Sequence, residues 1–112
     1  MAESDSPAHG GQQPNLTVTV KTNGESSVVT VHGEIDLETS AELGTALAGL
    51  DAESSVSLDL GAVTYIDSTG LRVLLTARDA ASQAGGNLRV SATSSIVARL
   101  IEITGATELL DD

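Results

Sequence analysis

The apolar positions of this chain fall into two rhythms, one of period two and one of helical spacing, and they alternate along its length. Leu16-Thr17-Val18-Thr19-Val20-Lys21 alternates apolar and polar residues, the pattern of a half-buried strand. Asn23-Gly24 is a favoured hairpin turn, and Val28 to Ile35 reads as the returning strand. Thr39 followed three places later by Glu42 has the form of a capping box, and Leu43, Ala46, Leu47 and Leu50 then recur at helical spacing. Val56-Ser57-Leu58-Asp59-Leu60 alternates again, and Val63 to Ile66 is a further apolar strand region. A second helix is predicted from Ser68 to Ala84, with Arg72, Thr76, Asp79 and Gln83 continuing a polar stripe that begins at Ser68. Gly85-Gly86 stops it. Leu88-Arg89-Val90 predicts a short strand, and Ser94 caps a third helix carrying Ile96, Val97, Leu100, Ile101 and Ile103 as far as Gly105. Glu108-Leu109-Leu110 predicts a last short strand. Residues 1–14 have almost no apolar content and read as a disordered tail, with His9 in it as decoration; the folded domain is expected over 15–112.

Strand–strand–helix–strand–helix–strand–helix is an α/β order. Strands that alternate with helices pair in parallel, whereas the first two are joined by a hairpin. The expected architecture is a single mixed β-sheet with an N-terminal antiparallel hairpin and helices packed mainly on one face. At 112 residues the chain has room for one small domain. Its only aromatic residue is Tyr65, so Leu, Ile, Val and Ala must fill the core. Cysteine is absent, which excludes disulfides and thiolate metal sites. No apolar run approaches the roughly 18 residues of a membrane span. The acidic start, with Glu3 and Asp5, lacks a signal pattern, so a cytoplasmic domain is expected.

Charge narrows the partners. The formal net charge is −11, from 16 acids and 5 bases. Between Thr22 and Leu71 there is no Lys or Arg, while nine acids fall in that stretch. A nucleic-acid partner is disfavoured, because phosphate binding needs a basic surface. An acidic surface serves solubility, and it also favours encounter with a basic protein.

Enzymatic chemistry finds little support. The chain has no Gly-rich phosphate cradle of the nucleotide-binding kind. A nucleophilic Ser68 would need a base, and outside the tail His32 is the one histidine, set on a strand where a structural role is the commoner one. Glu34 and Asp36, two apart, read better as a solvated or partner-facing edge than as a cation site. Asp67 as a phosphoacceptor aspartate lacks the acidic pair and later lysine that such domains use. Neither a cofactor nor a metal is expected.

The richest chemistry lies in Val63 to Leu75, where Asp67-Ser68-Thr69-Gly70 joins strand to helix. A hydroxyl there is either a helix cap or a phosphate acceptor, since a helix N-terminus presents free N–H groups and a positive dipole end. Asp67, Ser68 and Thr69 are all competent caps, and their redundancy leaves both roles open for Ser68.

Gly33-Glu34-Ile35-Asp36, then Asp67-Ser68-Thr69-Gly70-Leu71, then Gly85-Gly86-Asn87-Leu88, then Ile103-Thr104-Gly105 occur in order. Over about residues 16–110 this resembles the STAS domain, and within it the bacterial anti-sigma factor antagonists. The resemblance implies that Ser68 is phosphorylated by an anti-sigma factor that is a serine kinase. The unphosphorylated form binds that factor and frees sigma; the phosphorylated form lets go, and a phosphatase resets it. It further implies that Asp36 helps shape the contact surface near Ser68, with Asp67, Thr69 and Gly70 completing it. Two departures stand out. Arg72 occupies a place where the family usually has Gly, one turn from Ser68, where it would pair with a phosphate or contact a different partner. The family also usually continues into one more amphipathic helix, which is expected to be absent here because the sequence stops at Asp112. The alternative that the same resemblance carries is a STAS accessory subunit that grips the ATPase of a lipid-type ABC transporter, or another STAS protein-binding module.

Overall fold

The computed structural model describes residues 15–110 apart from Ala52, so the expected tail over residues 1–14 lies outside the described residues. Four strands form one sheet in the order β1-β2-β3-β4: β1 Leu16–Asn23, β2 Ser26–Ile35, β3 Ser55–Ile66 and β4 Asn87–Thr93. β1 and β2 are antiparallel, and β2–β3 and β3–β4 are parallel. The helices are α1 Ser40–Ala48, α2 Ser68–Gln83 and α3 Ser95–Thr104. The expected architecture, a mixed sheet opened by an antiparallel hairpin, is the one observed.

Alternation along the strands sorts the two faces. Leu16 and Val18, Val29 and Val31, Val56 and Leu58, and Leu88 and Val90 are buried, while Thr17, Val28, His32 and Arg89 between them are exposed. The apolar stripes of the helices close over the buried face, contributing Leu43, Leu47, Leu71, Leu74, Val97 and Ile101 to one aliphatic core. In a chain without Phe or Trp, shape matching among branched aliphatics carries the packing.

Several local expectations were displaced by tertiary contacts. The hairpin loop is Gly24-Glu25, one place beyond Asn23-Gly24, because Asn23 pairs with Ser26. Gly24 takes φ +66°, a conformation glycine adopts without strain. The two apolar regions on either side of Gly61 are one continuous strand of 12 residues. Register shifts between Leu58 and Asp59 and opposite Thr30–His32 break its alternation. The capping box at Thr39 does not form: Thr39 is the N-cap residue of α1, but its hydroxyl caps nothing in that helix. It turns back instead, donating to the Glu34 carbonyl at 2.7 Å and accepting from the Asp36 amide at 2.9 Å. Ser94 precedes α3 without a side-chain cap bond. The last short strand is a 3-10 turn, Thr107–Leu109, after which Leu110 makes a single parallel bridge to Val90.

Candidate functional site

The C-terminal ends of β2 and β3 lie side by side, with Ile35 opposite Ile66. The residues that follow, Asp36 and Asp67, therefore leave the sheet as neighbours, and the Asp67 amide donates to the Ile35 carbonyl at 3.2 Å. Both acids then turn their carboxylates onto backbone. Asp36 Oδ1 accepts from the amides of Glu38 at 3.0 Å and Thr39 at 3.1 Å, which shapes the loop into α1.

Asp67 is the N-cap of α2. Its backbone is extended (φ −118°, ψ −175°), and its Oδ1 accepts from the Gly70 amide at 3.0 Å. Its carbonyl accepts the first helical bond, from Leu71 at 3.0 Å. Ser68 thus stands at the first helical position, exposed to solvent, with its hydroxyl free of hydrogen bonds among the described residues. The amides of Ser68 and Thr69 belong to the first turn, where a helix offers N–H groups without internal partners. Thr69 is half-buried, and Gly70 is buried. A Cβ on Gly70 would stand 2.6 Å from Ile35 Cγ2 and 2.8 Å from the Ile35 carbonyl oxygen, so only glycine lets the helix start press on the end of β2.

Arg72, one turn further on, is exposed, as are Thr76, Asp79 and Gln83; the polar stripe starting at Ser68 is present as expected. Around Ser68 the geometry thus gathers Asp36, Asp67, Thr69 and Gly70 at one end of the sheet, with Arg72 on the adjoining turn. His32 points from the opposite, open face of the sheet, three residues before the end of β2, and gives Ser68 no base. No group of three or more metal-ligating side chains occurs among the described residues.

Two exposed apolar residues flank this site and were not singled out by sequence reasoning. Leu37, next to Asp36, is 74 % exposed, and Tyr65, at the end of β3, is 44 % exposed. Strand periodicity files both with the core; their position beside a charged motif was the signal available.

The family model described as "Mlab, STAS domain" matches residues 18–111. The chain belongs to the STAS domain family. The anti-sigma-B factor antagonist of Staphylococcus epidermidis is 34% identical over 98 residues, covering 86% of this chain and 91% of that protein. The corresponding antagonist of Bacillus subtilis is 33% identical over 98 residues, covering 87% and 90%. The crystal structure of an anti-sigma factor antagonist from Mycobacterium paratuberculosis superimposes with a TM-score of 0.74 at 30% identity, covering 85% of this chain and 82% of that one. This STAS domain is thus similar to anti-sigma factor antagonists over most of its length, and its relatives are regulators rather than enzymes. No helix among the described residues is long and apolar enough to cross a membrane.

Proposed function

We propose that this STAS domain is an anti-sigma factor antagonist of the cytoplasm, switched by phosphorylation at Ser68. In its unphosphorylated form it binds an anti-sigma factor that is a serine kinase and so releases a sigma factor, in the manner of a stress-response regulator. A phosphatase returns the phosphorylated form to service. The observation that carries this reading is the division of labour at the start of α2: Asp67 caps the helix, so the exposed Ser68 hydroxyl has no structural task.

The electrostatics favour a switch in binding over a change in fold. Phosphate adds about −1.5 to −2 charge near neutral pH. On Ser68 it would sit at the favourable end of the α2 dipole, which compensates it within the domain. At an interface, the same dianion beside Asp67 and Asp36 would have to be desolvated next to two carboxylates. Thr69 and Gly70 shape the docking loop, and Arg72 is the cation within one turn of the phosphate.

The test is incubation with ATP and a cognate anti-sigma kinase, followed by intact-mass measurement. The full chain gains one phosphate and Ser68→Ala gains none; a wild-type chain that stays unmodified while the kinase phosphorylates another antagonist overturns the reading. The transporter-accessory alternative uses the same helix start as a contact and is distinguished by stable co-purification with a membrane-bound ATPase subunit.

A further inference from the structure

A groove of about 450 Å³ runs between α1 and α2, floored by Val56 and Leu88 of the sheet. It exists because the facing positions are small. Gly44 and Ala48 line it from α1 and Ala77, Ala80 and Ala81 from α2, and α1 is 9 residues long against 16 for α2. Its size lies within the range of small-molecule sites, and its walls are apolar apart from Thr76 and the polar groups at the two ends.

Those ends differ in charge. Arg72 lies at the mouth nearest Ser68, and Asp51 with Ser54 closes the far end. Arg72 is exposed and makes no ion pair or hydrogen bond among the described residues, although the chain carries 16 acids. From Arg72 to Ala81 the groove follows nine helical steps, about 13 Å along the α2 axis. A free guanidinium at one mouth, an apolar trough behind it and a carboxylate at the other end together define a ligand: a single anionic head, an extended acyl tail and no second anion.

We propose that the α1–α2 groove binds a free medium-chain monocarboxylate, with its carboxylate on Arg72 and its tail along Ala77, Ala80 and Ala81 over Val56 and Leu88. The proposal does not depend on Ser68 being phosphorylated, but it places an occupied site one turn from that residue.

The probe is decanoate, titrated calorimetrically into the full chain, with 1-decanol and decanedioate as comparisons. Saturable one-to-one binding of decanoate is expected, with decanedioate weaker because its second carboxylate meets Asp51. Arg72→Gln should weaken decanoate about threefold, as befits an exposed ion pair, and leave decanol unchanged. Ala80→Leu, at an exposed position of the groove wall, should abolish binding of both; Ala77→Leu, with folding checked by circular dichroism, repeats the test deeper in the trough. Absence of saturable decanoate binding, equal binding by a folded Leu variant, or decanedioate binding as tightly as decanoate overturns the assignment and leaves the groove to an apolar side chain of a protein partner.

Discussion

Gly70 is packed so closely on Ile35 that a methyl group in place of its hydrogen would sit 2.8 Å from the Ile35 carbonyl oxygen. This contact sets the height of the α2 N-terminus against β2, and with it the position of Ser68. Alanine is the better helix former by about 1 kcal/mol, so propensity alone favours Gly70→Ala. Overpacking against backbone costs typically 1–3 kcal/mol and cannot relax by rotating a side chain. The expected result is net destabilisation of up to about 2 kcal/mol in urea unfolding, together with weaker partner binding.

Asp67 and Ser68 are adjacent but carry different burdens. Asp67→Ala removes the carboxylate that holds the Gly70 amide and should cost about 1 kcal/mol of stability. Ser68→Ala removes an exposed hydroxyl without a partner and should stay within about 0.5 kcal/mol of the parent. Denaturant midpoints with unchanged slopes would check the pair; comparable losses would mean that Ser68 shares the cap.

Thr39 and Glu42 give the same kind of contrast at α1. The Thr39 hydroxyl, in a residue only 2 % exposed, bridges the Glu34 carbonyl and the Asp36 amide. Thr39→Val leaves both groups without that partner and should cost about 1–3 kcal/mol. Glu42→Ala, at the position a capping box would use, should cost no more than about 0.5 kcal/mol. Thermal unfolding of the two variants side by side decides between the observed turn and a box.

Ser68→Asp introduces one negative charge at the positive end of α2. Stability should rise or fall by no more than about 0.5 kcal/mol, since the charge is exposed and the dipole favours it. Affinity for the anti-sigma factor should drop at least about tenfold, because the charge must be desolvated beside Asp67 and Asp36. Isothermal titration against the partner reads the second effect and calorimetric unfolding the first.

The amphipathic rhythms already specified most of the architecture, because burying one face of each strand and one stripe of each helix leaves few arrangements of an α/β order. β1, β2, α2 and α3 fall within two residues of their expected limits. The break at Gly61 was misleading for a physical reason: register shifts change which residues face inward, so Leu60, Val63 and Ile66 are all buried although they lie three apart rather than two. At the site, the Asp67-Ser68-Thr69 run announced a helix start but left the capping residue undecided.

What the order of residues determined by itself was the sheet, its hairpin, the aliphatic core and the presence of a hydroxyl at the head of α2. Tertiary structure alone decided which residue caps that helix: the Ile35 carbonyl holds the Asp67 amide, which orients the Asp67 carboxylate toward Gly70 and leaves Ser68 outside. It also placed Asp36 beside Asp67 and opened the groove between α1 and α2. Periodicity records which side of an element faces the core, whereas caps and clefts depend on where separate elements meet, and no local pattern encodes that distance.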